Sequence, residues 1–124
     1  MHDDIILVVE DDADLRDSLC SLLEVEGFQA VGAANGLEAL RYLRAHAPPC
    51  VILLDLMMPG MSGGEFRVRQ LADAHLARVP TIVVSAMDVA HQQEQVLNAA
   101  GYLTKPVSPK QLTQTVRQHC QATA

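Results

Sequence analysis

Residues 51–61 read VILLDLMMPGM. Val51, Ile52, Leu53 and Leu54 are apolar without interruption, the pattern of a strand covered on both faces and so of a parallel sheet. A carboxylate inside such a strand would cost on the order of several kcal/mol to strip of water unless it were paired. Asp55 is therefore expected at the edge of the run, on a strand end that solvent and partners can reach.

The flanking sequence repeats the theme. IILVV (5–9) and TIVVS (81–85) are further apolar runs, and FQAVGA (28–33) and GYLTKP (101–106) are shorter candidate strands. Helical periodicity alternates with them. ADLRDSLCSLLEVEG (13–27) spaces Leu15, Leu19, Leu22 and Leu23 at helical intervals and stops at Gly27, suited to a left-handed C-cap. NGLEALRYLRAH (35–46) has Asn35 as cap, turns Leu37, Leu40 and Leu43 inward, and is ended by Pro48-Pro49. MSGGEFRVRQLADAH (61–75) offers Phe66 and Leu71 as inward anchors. DVAHQQEQVLNAA (88–100) is polar and weakly amphipathic. Ser108 as cap and Pro109 at the first helical position open KQLTQTVRQHCQ (110–121), with Leu112 and Val116 one turn apart. Strict alternation of strand and helix predicts an α/β fold, (βα)5, with helices on both faces of a doubly wound, five-stranded parallel sheet. No linker or internal repeat divides the chain, so one domain is expected over residues 1–124.

Charge and cysteine usage narrow the function. Nine Lys+Arg against fifteen Asp+Glu give a net charge of −6 without a basic cluster, which argues against direct nucleic-acid binding. No charged-then-apolar leader and no run of membrane-spanning length is present, so neither secretion nor a membrane partner is expected. Cys20, Cys50 and Cys120 form no CxxC or metal-ligand pattern, which reads as a reduced, cytoplasmic protein with inert thiols. His2, His46, His75, His91 and His119 are scattered and read as surface residues.

Ligands of open parallel sheets bind outside the carboxyl ends of the strands. The polar residues following each strand are Glu10, Asp11 and Asp12 after the first, Asp55 after the third, Ser85 after the fourth and Lys105 after the fifth. Crowded carboxylates repel and take up protons unless a cation intervenes. An oxygen-rich site without soft ligands favours Mg²⁺, and Lys105, one of only two lysines, falls where a second cation is wanted. Metal, carboxylate, hydroxyl and ammonium together are the parts of a phosphoryl-transfer site in which a carboxylate oxygen can be the nucleophile.

ILVVEDD, LLDLMMPGMSG, VVSA and YLTKP, in this order and at these intervals, resemble the receiver domain of two-component response regulators, chemotaxis regulators among them. The resemblance covers essentially the whole chain. It implies the flavodoxin-like strand order 2-1-3-4-5. It implies that Asp55 accepts a phosphoryl group from a histidine kinase or histidine phosphotransfer protein, with Glu10, Asp11, Asp55 and the backbone carbonyl of Met57 as Mg²⁺ ligands. Asp12 is not expected to be a direct ligand. Ser85 takes the place of the switch hydroxyl, Lys105 that of the phosphate-binding lysine, and Tyr102 that of the aromatic that turns when the hydroxyl engages phosphate. The Lys105-Pro106 bond is then expected to be cis. Such a chain is a signalling phosphoacceptor rather than an enzyme, acting on a downstream protein or effector domain. It is either a complete regulator or one part of a larger one. The stretch from Ser85 to Lys105 is a residue or two shorter than the family's usual length, on a face many receivers use for output.

An aspartate-nucleophile phosphatase is the rival from another class, but the acid such enzymes carry two residues past the nucleophile is Met57 here. An EF-hand reading of DDADLRD fails, because Asp17 stands where the loop needs Gly and Leu23 where it needs its terminal acid. A flavodoxin-type electron carrier is opposed by the acidic first loop and the absence of Trp. Met58 and Met61 read as rim packing. Met57 and Met87 flank the expected line of water attack on a phosphoryl group, and neither can orient a water. Loss of the phosphoryl group is therefore expected to be slow, and Met57→Asn should shorten its half-life; equal half-lives for the two proteins would reject the idea.

Overall fold

The computed structural model describes residues 5–56, 61, 63–85 and 99–120. Five strands, β1 (Ile5–Val9), β2 (Gln29–Ala33), β3 (Val51–Asp55), β4 (Thr81–Ser85) and β5 (Gly101–Thr104), form one parallel sheet in the order β2-β1-β3-β4-β5. Four described helices accompany them: α1 (Ala13–Val25), α2 (Gly36–Ala45), α3 (Gly63–Leu71) and α4 (Pro109–Arg117). The fold is the expected flavodoxin-like one. β3 and β4 are buried at every position, which is why their sequences do not alternate.

The sheet divides the core into two layers. Ile6, Val8, Leu53, Ile82, Val84 and Leu103 face α1 and α4, where Leu19, Leu23, Leu112 and Val116 meet them. Leu7, Val9, Ile52 and Leu54 face α2 and α3, where Leu40, Leu43 and Phe66 pack. Met61 joins this second layer beside Gly36, where an added Cβ would come within 2.7 Å of its Sδ.

The helix ends follow the sequence signals. Asn35 Oδ1 accepts from the Glu38 N–H at 2.9 Å, while Glu38 Oε1 accepts from the Ala34 N–H, also at 2.9 Å. Ser108 Oγ accepts from the Gln111 N–H at 3.3 Å, with Pro109 behind it. At the end of α1 the Phe28 N–H donates to Leu23 O at 3.0 Å and the Gly27 N–H to Glu24 O at 3.1 Å, a Schellman closure with Gly27 at φ 97°.

Three expectations are corrected. Leu37 is 48% exposed and Leu71 41% exposed; the inward positions are Ala39, Leu40 and Leu43 on α2 and Phe66, Arg67 and Gln70 on α3. Leu37 lies in the first turn of α2, short of the stripe that Leu40 and Leu43 bury. On α3 the buried side chains include a hydrogen-bonded polar pair that hydrophobic periodicity does not register. Arg67 Nη1 donates to Gln70 Oε1 at 2.8 Å and to Thr81 Oγ1 at 3.2 Å, and Gln70 Nε2 donates to Leu76 O at 2.9 Å and Val79 O at 3.1 Å.

The third correction concerns the thiols: Cys50 and Cys120 are joined in a disulfide across 70 residues of sequence. Cys50 enters β3 at the end of the sheet that the C-terminal turn of α4 reaches, so tertiary packing rather than local spacing pairs them. Cys20 remains free, and burial, helped by Glu24 and Asp17, pushes its thiol up from its ordinary value, away from reactivity.

Residues 86–98, which carry most of the helix predicted over 88–100 and of the shortened stretch before β5, lie outside the described residues; Ala99 and Ala100 are not helical. His2 and His91 also lie outside them.

A side chain at the left-handed Gly27 position is strained by about 1–2 kcal/mol. Gly27→Ala should lower the unfolding free energy in urea by about that amount, whereas Gly→Ala changes in ordinary backbone regions are neutral or stabilising.

Candidate functional site

The site begins where β1 stops. The Glu10 N–H still donates to Ala33 O of β2 at 3.0 Å, so the backbone stays in the sheet as the sequence turns acidic. Asp12 then caps α1, its Oδ1 accepting from the Asp14 and Leu15 N–H groups at 3.0 and 3.2 Å, as suits an acid at a helix start. That role occupies Asp12 and leaves Glu10 and Asp11 to the crevice.

Arg16, one turn into α1, donates from Nη1 to the Glu10 carbonyl at 2.8 Å. Its stem crosses β2 at Gly32, where an added Cβ would sit 2.9 Å from Arg16 Cδ. Arg16 thus holds the acidic loop by its backbone. Sequence reasoning missed it; the signal was a glycine in the middle of a neighbouring strand, making room for a long side chain.

Across β1 lies β3, with Val9 in register with Leu54, so Glu10 and Asp55 emerge side by side. Both are nearly fully buried, at 2% exposure each, so Asp55 ends β3 but does not face solvent as its place in the sequence predicts; pairing with Lys105 is what makes that burial tolerable. One oxygen each from Glu10, Asp11 and Asp55 lies within 4.8 Å of the others. Lys105 reaches in from beyond β5, its Nζ 3.3 Å from Glu10 Oε1 and 3.4 Å from Asp55 Oδ2. The Lys105-Pro106 peptide bond is cis. The Lys105 N–H donates to Ser85 O at 2.9 Å, joining the lysine to the end of β4.

Electrostatics follow from crowding. Glu10 is raised from 4.5 to about 7, first by burial and then by Asp55, with which it shares a hydrogen bond; the Asp12 N–H and Lys105 only partly oppose this. Burial lowers the Lys105 ammonium, but Asp55 and Glu10 outweigh it and leave the lysine above its ordinary value. With both carboxylates ionised, one ammonium would leave negative charge uncompensated, and either a proton on Glu10 or a bound cation can remove it. The donor set is carboxylate oxygen alone, and it could hold a hard divalent cation.

Ser85 Oγ is buried and has no hydrogen-bond partner among the described residues. An unpartnered buried hydroxyl costs about 1–3 kcal/mol, so an acceptor arriving at the crevice would be welcome there. Tyr102 pairs with Val83 across β4 and β5, on the same sheet face as Ser85 and Thr104. Its ring packs against Leu56 and Val83. The structure therefore brings together Glu10, Asp11, Asp55 and Lys105, ties Ser85 to Lys105 through the backbone, and sets Tyr102 on the Ser85 face. Met57, with Met58 and Met87, lies outside the described residues.

The family model of the response regulator receiver domain matches residues 6–117. The phosphate regulon transcriptional regulatory protein PhoB of Klebsiella pneumoniae is 37% identical over 114 residues, which cover 90% of this chain and 49% of that protein. This chain thus spans about half the length of that relative. A 14.6 kDa protein of Leptolyngbya boryana is 39% identical over 121 residues, covering 94% of this chain and 90% of its own length. Among solved structures, a response regulator receiver protein from Pseudomonas putida superimposes with a TM-score of 0.87 at 30% identity, covering 95% of this chain and 98% of its own.

Glu10 yields a pH prediction. Its folded-state value lies above its unfolded one, so its stabilising contribution is complete below pH 4.5 and is lost as pH rises through about 7. In chelator, the unfolding free energy of the parent should fall between pH 5 and pH 8 by more than that of Glu10→Gln. Parallel curves for the two proteins would show that Glu10 titrates normally.

Proposed function

The chain belongs to the response regulator receiver family, and from that premise we propose that Asp55 accepts a phosphoryl group from a histidine kinase or histidine phosphotransfer protein. The observation that carries this is the lysine-bridged pair of buried carboxylates, the lysine being joined through its backbone to Ser85, whose buried hydroxyl has no partner among the described residues. Relief of repulsion is the physical reason for such a site: it is strained toward cations and toward an oxygen-rich group that needs donors.

In the step, an Asp55 carboxylate oxygen attacks phosphorus as the P–N bond to the donor imidazole breaks. An acyl phosphate forms and the electron pair of the broken bond returns to the imidazole nitrogen. Lys105 passes from bridging Glu10 and Asp55 to holding a phosphoryl oxygen. Ser85 donates to another, which satisfies its hydroxyl. Glu10, Asp11 and Asp55, with the Met57 carbonyl as the family pattern implies, would hold Mg²⁺, which supplies charge neutralisation at the equatorial oxygens when bound. Burial of Glu10 and Asp55 keeps competing water away from the new bond.

The product carries about −1.5 to −2 charge, and closing Ser85 and Lys105 upon it alters the β4–β5 face on which Tyr102 sits. That face is the output, read by a downstream protein or by an effector domain. Residues 1–124 are read as one receiver unit in the cytoplasm. Among the described residues no helix is long and apolar enough to cross a membrane. A groove lined by Leu15, Leu19, Leu22, Pro106 and Val107 opens beside Lys105 and is the surface that a phosphodonor protein would cover while reaching Asp55. Turnover as a phosphatase is disfavoured by the absence of a proton donor at Met57.

Intact-mass spectrometry after incubation with acetyl phosphate tests the reading. One phosphoryl adduct should form on the parent with Mg²⁺, none in chelator and none on Asp55→Asn. A folded parent that stays unmodified with Mg²⁺ would be a receiver that no longer accepts phosphate and works by docking alone.

A further inference from the structure

Arg16 is an unexpected donor for the Glu10 carbonyl. A backbone carbonyl needs one neutral donor, whereas a guanidinium brings five donors and a permanent positive charge. Held 2.8 Å from that carbonyl, the charge repels any cation that the clustered carboxylates could hold. Coulomb's law alone would favour a neutral residue here.

Two elements are nevertheless shaped around its stem. Gly32 of β2 is in register with Val8 of β1 and shares with Ala30 the sheet face that α1 covers. An added Cβ there would stand 2.9 Å from Arg16 Cδ, 3.1 Å from Cγ and 3.4 Å from Nε. Any other side chain at position 32 therefore displaces the arginine. Glycine is a poor strand former, and the close approach of this stem is the reason for it inside β2.

The oxygen that Arg16 holds belongs to the peptide joining Glu10 to Asp11. Rotation of that peptide plane would swing the two side chains it links. The backbone on either side is already fixed: the Glu10 N–H donates to Ala33 O at 3.0 Å, and the Asp12 carbonyl accepts from the Arg16 N–H at 2.8 Å. With both flanks tied, the orientation of this one peptide decides where both carboxylates point.

We infer that Arg16, seated over Gly32, is the positioning residue of the carboxylate cluster: it orients the Glu10–Asp11 peptide so that both side chains converge on Asp55, and it strengthens cation binding in spite of its own charge. The inference rests on reading Glu10, Asp11 and Asp55 as a Mg²⁺ site. Orientation and repulsion have opposite signs at this residue, so the direction of the effect identifies which one governs.

Mg²⁺ binding to the unphosphorylated chain would be measured by isothermal titration calorimetry at fixed ionic strength, with melting temperatures in chelator recording whether each variant is folded. Arg16→Gln should raise the Kd for Mg²⁺ roughly tenfold, the scale of a hydrogen bond to a charged group. Removal of a repelling charge alone would lower it. Gly32→Val keeps every charge, suits a strand and fills the seat of the stem. It should weaken Mg²⁺ binding in the same direction, and it decides the matter if the glutamine variant does not fold. Unchanged or tighter Mg²⁺ binding in either folded variant would overturn the positioning role. A parent that binds no Mg²⁺ at millimolar concentrations would instead overturn the cation-site reading, and the inference with it.

Discussion

The Lys105 ammonium stands 3.3 Å from Glu10 and 3.4 Å from Asp55, and the chemistry of the molecule depends on that bridge. Two carboxylates buried side by side are intolerable without it, and one ammonium does not balance them with Asp11 nearby. Burial first, and Asp55 after it, raise Glu10 to about 7, and the three clustered carboxylates are a donor set that could hold a hard cation. The fold supports this arrangement by making the ends of β1 and β3 adjacent at the point where strand order reverses, so that their terminal carboxylates converge outside the sheet.

β4 connects this site to the rest of the molecule. It is buried throughout, yet it begins at Thr81 and ends at Ser85, both polar and both on the face of Tyr102. Thr81 is saturated by Arg67 and Gln70, while Ser85 has no partner among the described residues. One end of the strand is tied by hydrogen bonds to α3, and the other carries a buried hydroxyl with no partner among the described residues.

Much of this was legible in the chain. β1, β3 and β4 occupy the residues their apolar runs predicted, because a strand buried on both faces has no polar position to blur its edges. Glu10, Asp55 and Ser85 were legible for the complementary reason, each being the first polar residue at the end of an apolar run, while Asp11 and Lys105 follow one residue behind Glu10 and Thr104. Amphipathic helices gave weaker signals. Leu37 and Leu71 look like core residues but are exposed, and Arg67 and Gln70 look like surface residues but are buried. Hydrophobicity ranks a side chain by type, whereas a hydrogen-bonded network buries polar atoms at little cost.

The sequence by itself determined the alternation of elements, the helix caps, the layered core and the set of groups that gather at the strand ends. These follow from local conformational preference and from apolar periodicity, both written in consecutive residues. Only the tertiary structure decided that Cys50 meets Cys120, that Arg16 passes over Gly32 to hold the Glu10 carbonyl, and that Arg67 meets Thr81. Each of these joins residues brought together by strand order and helix packing, and such distances have no counterpart in sequence spacing.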